Sequence, residues 1–158
     1  MLSSCPTVAT IGKADVYPGA VNAVPSRVTL MLDVRDTDPV RREAAMDAIR
    51  AEAHTIAQRR DVRINEEAIN ADAPAVCDPG IVTLLGEICG AEGISTRHMV
   101  SRAYHDTSFM AQIAPVAMIF IPCRGGVSHR PDEYASAEAI SLGVQVLAEA
   151  LARLSMQT

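Results

Sequence analysis

Two stretches, SRAYHD at residues 101 to 106 and GGVSHRPDEYAS at residues 125 to 136, gather the side chains of this chain best suited to chemistry. His129 follows two glycines and precedes Pro131 in a loop after an apolar run. That is where α/β proteins carry ligand and metal groups, at the carboxyl ends of strands. A neutral imidazole there binds a divalent ion through one nitrogen while an acceptor holds the other. A site needs three or more protein ligands, and His54, His98 and His105 show no helical or hairpin spacing that completes one. By its letters alone His129 reads as a metal ligand or as a hydrogen-bonded loop histidine.

Tyr104 and His105 precede Asp106, which reads as the N-cap of a helix holding Phe109, Met110 and Ile113. Backbone amides at such an N-terminus can receive an anion or a developing oxyanion. The pair therefore reads either as pocket-lining groups or as locally packed rings. Asn22, in PGAVNAVPS, suits turn chemistry. Arg35 ends a strand, where an arginine is a solvated charge or a bidentate clamp for a carboxylate. Cys123 lies near His129 with no third, orienting group in view, and reads as a buried strand-end thiol.

These residues need elements to hold them. Residues 7 to 16 form a moderately apolar strand, and the proline- and glycine-containing run from Tyr17 to Ser26 ends it. In RVTLMLDVR, residues 27 to 35, Val28, Leu30, Leu32 and Val34 alternate with Thr29, Met31, Asp33 and Arg35, the period of a half-buried strand with Arg35 directed away from its core. Asp38 and Pro39 start a helix that carries Ala45, Ile49, Ala53 and Ile56 and ends near Arg59 and Arg60. DVRINEE, residues 61 to 67, alternates as a third strand. Strand, strand, helix, strand is most of an α+β sandwich.

ADAPAVCDPG, residues 71 to 80, reads as a linker. Beyond it, Asp78 and Pro79 start a short helix with Ile81, Leu84, Leu85 and Ile88 that stops at Gly90. VAMIFIP, residues 116 to 122, is a continuous apolar run expected as a strand covered on both faces. A last helix, from about Ala137 to Leu154, places Ile140, Val144, Leu147, Leu151 and Leu154 on one stripe expected to pack on that sheet.

Composition bounds the partners. Of 158 residues, 49% are hydrophobic, 21% charged and only 3% aromatic, without Trp, so aliphatic side chains must supply the core and stacking platforms for bases are scarce. A net charge of −5 argues against nucleic acid or an anionic membrane as partner. Cys5, Cys77, Cys89 and Cys123 show no CxxC pairing and no signal-peptide pattern, which points to reduced thiols in a cytoplasmic setting. No apolar run approaches the roughly 20 residues of a bilayer span.

Several motifs stand in a fixed order: VYPGAVNAVPSRVTLMLDVRD, then SRAYHDTSFMAQIAPVAMIFIPCRGGVSHRPDEYAS, then the final helix. Together they resemble the carboxyl-terminal part of the binuclear metal amidohydrolases, the family of N-carbamoyl-L-amino-acid, allantoate and ureidoglycolate amidohydrolases. Most of that family has a GAGHDA-type segment where this chain has SRAYHD; the Arg102, Ala103, Tyr104 wording is most similar to the ureidoglycolate branch.

The resemblance implies an α/β fold, the end of a metallohydrolase catalytic domain at residues 72 to 158, preceded by a partial α+β, ferredoxin-like lid and dimerisation domain at residues 1 to 71. It implies that His129 matches the last metal ligand. Asn22 and Arg35 match lid residues that bind substrate, typically in the partner subunit, and Tyr104 and His105 fall in the segment lining the substrate pocket. The other ligands, the bridging aspartate and the general-base glutamate would lie in an amino-terminal half that this chain lacks, so no catalytic residue is assigned.

The implied activity is hydrolysis of a linear ureido or amide C–N bond by a homodimer holding two ions, Mn2+ or alternatively Zn2+. Ureidoglycolate is the first substrate, giving glyoxylate, ammonia and carbon dioxide; allantoate and N-carbamoyl-L-amino acids are the alternatives. The alternative for a chain with one such ligand is a non-catalytic, truncated dimerisation or binding module.

Overall fold

The computed structural model describes residues 7 to 156. These divide into two compact units, one comprising the chain to Pro74 together with Met99–Ala103, the other Ala75–His98 together with Tyr104 onward. A small antiparallel sheet plus helices makes the composition α/β. No described helix is long and apolar enough to cross a membrane.

In the first unit, β1 (Val8–Tyr17) and β2 (Arg27–Arg35) pair antiparallel, from Val8 opposite Arg35 to Tyr17 opposite Arg27, with a register shift between Ile11 and Lys13. The shift falls at Gly12, and one extra residue in a strand is what a bulge requires. The intervening loop opens with a cis Tyr17–Pro18 bond and closes where the Ser26 amide donates to the Tyr17 carbonyl at 3.0 Å. Gly19 sits at φ +71°, a left-handed backbone that glycine adopts at no steric cost.

α1 (Pro39–Arg60) begins as its letters dictate: Asp38 Oδ1 accepts from the amides of Val40 and Arg41, and Pro39 needs no partner in the first turn. Arg59 and Arg60 occupy its last turn, where cations suit the helix dipole. Helix α1 packs against β2, yet Val28, Leu30 and Leu32 remain exposed and only Val34 is half-buried. The expected half-buried sheet face is therefore open among the described residues.

The third strand expected at residues 61 to 67 does not form. Alternation makes a chain extended, but a strand also needs a ladder partner, and Val62 and Ile64 stay 51% and 50% exposed. Side chains of α1 hold this segment and the residues after it: Arg50 pairs with Glu66 at 3.0 Å, and Arg42 donates to the carbonyls of Asp72 at 2.6 Å and Ala71 at 3.2 Å.

In the second unit, α2 (Pro79–Ala91) is capped by Asp78, whose Oδ1 accepts from the Ile81 amide at 2.9 Å. It runs past Gly90 and ends at a glycine the pattern missed. Gly93 takes φ +66°, the Ile94 amide reaches the Cys89 carbonyl at 2.8 Å, and the Gly93 amide reaches Gly90 at 3.2 Å. These crossed bonds are a Schellman ending, and Ile94 folds onto the same core cluster as Cys89.

α4 (Ala137–Ser155) starts at Ser136, whose Oγ accepts from the Ala139 amide at 3.2 Å. The buried core is Ile88 and Cys89 from α2 with Val146 and Ala150 from α4, and Leu84, Leu85 and Ile94 lean on it. The stripe expected to pack, Ile140, Val144, Leu147 and Leu151, is exposed, and only Leu154 is half-buried. The burying arc is displaced by about 100°, one residue's turn. It runs through Gly143, Val146 and Ala150, where small side chains let α2 and residue 121 approach closely. Both arcs are apolar, so periodicity alone names the wrong one.

Residues 116 to 122 do not form a strand either: no ladder partner exists among the described residues, and Ile119, Phe120 and Ile121 are exposed rather than covered on both faces. Its described anchors are the Val116 carbonyl, which accepts from the Asp78 amide at 2.7 Å, and Ile121 against Gly143 of α4. The helix expected from Asp106 through Ile113 shortens to α3 (Thr107–Met110) followed by turns. Pro115 sets the outer limit, because it disfavours helical backbone at Ala114 before it. Asp106 is itself helical, at φ −57°, and its side chain makes no cap bond.

Candidate functional site

Arg35, the last residue of β2, is held on two sides. Asp33, two residues back on the same strand face, places Oδ2 at 2.7 Å from Arg35 Nε and 2.6 Å from Nη2. The carbonyl of Arg102 accepts from Nη1. The Asp33 carboxylate raises the guanidinium pKa above its ordinary value, against a smaller opposing effect of burial. The strand alternation that put Asp33 and Arg35 on one face was visible in the sequence; their pairing and the Arg102 carbonyl were not.

The next residue, Asp36, is the tightest polar junction described. Its side chain is 0% exposed, and it accepts from Thr7 Oγ1 at 2.5 Å, Arg41 Nη2 at 2.5 Å, Arg41 Nε at 3.1 Å and the Asp38 amide at 2.8 Å. Bonds from Arg41 first, then Thr7 and the Asp38 amide, hold its carboxyl well below the usual carboxylate range. One carboxylate thus joins the residue preceding β1, the end of β2 and the start of α1. Sequence reasoning passed over it, although an aspartate between a strand end and a helix cap was there to be noticed.

Asn22 sits exposed in the β1–β2 loop, inside a turn closed by the Ala23 amide on the Ala20 carbonyl at 3.2 Å. Asparagine is common in such turns.

Tyr104 and His105 belong to the second unit. The Tyr104 ring meets Phe109 edge-on, centroids 5.7 Å apart at 81°, and the His105 ring tilts against Phe120 at 5.7 Å. Both phenylalanines of the chain are thereby engaged, and edge-to-face geometry is the favoured aromatic contact. The helix N-terminus expected here is a single turn, and its first amides are already used: Ser108 donates to His105 O at 2.9 Å and Phe109 to Asp106 O at 3.0 Å. An anion-receiving helix end is not what this segment provides.

His129 is exposed, so its ring is not sealed among aliphatic groups. Its backbone is left-handed, φ +59°, which costs a non-glycine residue about 1–2 kcal/mol. The Glu133 carboxylate holds it there, Oε2 accepting the His129 amide at 2.9 Å. The loop closes on itself around this contact. The Glu133 amide donates to Arg130 O at 3.1 Å across Pro131 and Asp132, the Arg124 amide donates to Tyr134 O at 2.8 Å, and the Arg124 guanidinium lies 5.0 Å over the Tyr134 ring. A salt bridge from Arg130 to Asp132 at 2.9 Å stiffens the tip. None of these supports was singled out from the sequence.

An exposed imidazole on a braced loop suits one position of a metal centre. No group of three or more His, Cys, Asp or Glu that could hold an ion occurs among the described residues, so they do not by themselves fit a metal. The Cys77, Cys89 and Cys123 thiols are free, Cys89 buried in the core and Cys123 half-buried. A surface concavity of about 580 Å³ lined by α2 residues and Leu154 contains none of the candidate residues.

Comparison with known proteins shows the family. Residues 2–153 match the family described as Peptidase family M20/M25/M40. A ureidoglycolate hydrolase of Arabidopsis thaliana is 44% identical over 154 residues, 97% of this chain and 32% of that protein. An N-carbamoyl-L-amino acid amidohydrolase of Geobacillus stearothermophilus is 37% identical over 141 residues, 89% of this chain and 34% of that protein. The crystal structure of AtUAH in complex with glyoxylate superposes with a TM-score of 0.89 at 43% identity, covering 96% of this chain and 36% of that one. The chain thus spans about a third of the length of the curated relatives it matches.

Proposed function

Because the chain belongs to peptidase family M20/M25/M40, we propose that it is part of a metal-dependent amidohydrolase that cleaves the C–N bond of a ureido acid. Ureidoglycolate is the first substrate, giving glyoxylate, ammonia and carbon dioxide with consumption of water. The observation that carries this reading is 44% identity to a ureidoglycolate hydrolase across 97% of the chain. Allantoate and N-carbamoyl-L-amino acids are the alternative substrates.

In this reading residues 1 to 71 are part of a lid that also forms a homodimer, and residues 72 to 158 are the end of the catalytic domain. The first compact unit ends its main run at Pro74, close to that boundary, and also takes in Met99–Ala103. Arg35 clamps the substrate carboxylate and Asn22 donates to a carbonyl oxygen. Tyr104 and His105 line the pocket, their rings already held by Phe109 and Phe120. His129 supplies one imidazole to a two-ion centre, manganese or alternatively zinc, whose remaining ligands lie in polypeptide corresponding to the other two thirds of the relatives. Free thiols at Cys77, Cys89 and Cys123 suit a cytoplasmic setting.

The lack of a three-ligand cluster among the described residues favours a second reading of the chain taken alone, a non-catalytic dimerisation or binding module. One assay separates the two. The chain is combined with a polypeptide supplying the rest of the family length, in Mn2+, and offered ureidoglycolate, allantoate and an N-carbamoyl-L-amino acid. Turnover of ureidoglycolate supports the proposal, turnover of another substrate moves the assignment to it, and turnover of none leaves the binding module.

A further inference from the structure

We propose that Asp33 is a positioning residue for Arg35, fixing its guanidinium so that a carboxylate ligand meets a prearranged pair of N–H donors; the inference rests on Arg35 being the carboxylate clamp. A guanidinium has five N–H groups. Asp33 Oδ2 takes Nε at 2.7 Å and Nη2 at 2.6 Å, and the Arg102 carbonyl takes Nη1. Those bonds leave one N–H on each terminal nitrogen, the number a carboxylate uses in a bidentate pair.

Both holders belong to the same compact unit as Arg35. Asp33 sits in the ladder opposite Thr10, and Arg102 lies in the Met99–Ala103 segment of the same compact unit. Arg35 is nevertheless 45% exposed at its side chain, so without tethers it would sample many rotamers and lose them on binding. Tethering moves that entropy loss from the binding step into folding. Asp33 also brings a negative charge near an anionic ligand, which opposes binding, and the proposal commits to geometry outweighing charge.

The test is an NMR titration of the 158-residue chain with glyoxylate as the carboxylate probe, following the Arg35 side-chain Nε–H and backbone amides. Asp33→Ala is expected to raise Kd about three- to tenfold and to speed exchange of the Arg35 Nε–H. Asp33→Asn keeps an acceptor oxygen and is expected to stay within about twofold of the parent. An unchanged or lower Kd in Asp33→Ala overturns the positioning role, as does an Asp33→Asn variant as weak as Asp33→Ala. Arg35→Ala separates the two layers: if it leaves glyoxylate binding intact, the reading of Arg35 as clamp fails whatever Asp33 does.

Discussion

The Glu133 carboxylate accepts the backbone amide of His129 at 2.9 Å, and that bond keeps a non-glycine residue in left-handed backbone at φ +59°. A charge-assisted bond offsets a local strain of similar size. Glu133→Ala should therefore release the loop tip: amide exchange at His129 is expected to accelerate about tenfold, with global stability lowered by about 1 kcal/mol. Glu133→Gln, which keeps an acceptor, should retain most of the protection. Equal exchange in all three proteins would show that the bond does not hold the loop.

Asp36 should set an acid limit on the first unit. Its folded-state pKa is depressed by Arg41, Thr7 and the Asp38 amide, so its contribution is complete above the unfolded value near 3.9 and is lost as pH falls below it toward the folded value. Denaturant melts of the parent are expected to weaken below about pH 4 more steeply than those of Asp36→Asn. Above pH 5 the variant should be the less stable of the two at every pH.

Neighbouring positions on α4 should respond very unequally to the same change. Val146 is 4% exposed against α2, whereas Leu147 is 49% exposed. Val146→Asp buries an unpaired carboxylate and is expected to cost more than about 3 kcal/mol or to prevent folding. Leu147→Asp should change stability by no more than about 1 kcal/mol in chemical denaturation of the chain alone.

Glycines in helices α2 and α4 should also part company. A Cβ at Gly143 would lie 2.6 Å from Ile121 Cγ2, and a β-branched side chain has little rotamer freedom with which to move aside. Gly143→Ala is expected to destabilise by about 1–3 kcal/mol and to be relieved by Ile121→Ala. At Gly86, in the interior of α2, nothing lies within 4 Å of a new Cβ. Gly86→Ala should stabilise by up to about 1 kcal/mol through helix propensity.

Calorimetric titration with Mn2+ should detect no tight pair of ions in the 158-residue chain, in keeping with the absence of a three-ligand group among its described residues. Stoichiometric uptake of two ions would overturn that expectation.

Features governed by neighbours in sequence were legible before any coordinates. The extended run Arg27–Arg35, the Asp38–Pro39 and Asp78–Pro79 helix starts and the arginines ending α1 are local physics, and the molecule obeys them, although the strand's expected half-buried face stays open. Features that need a distant partner were not. Residues 61 to 67 and 116 to 122 have the letters of strands but no ladder among the described residues. The burying arc of α4 carries small residues, Gly143 and Ala150, whose apolar signal is weaker than that of the leucines beside them. At the candidate site, motif order singled out Arg35 and His129, but the groups that hold them, Asp33 and Glu133, are visible only as contacts.

Helix α4 bears oily surface on two flanks, and only one is dried by α2. Any polypeptide that settles on the other flank binds the native state and ignores the denatured one. By mass action the thermal midpoint must then climb with that polypeptide's concentration, which turns a simple melting curve into an assay for a complementing chain.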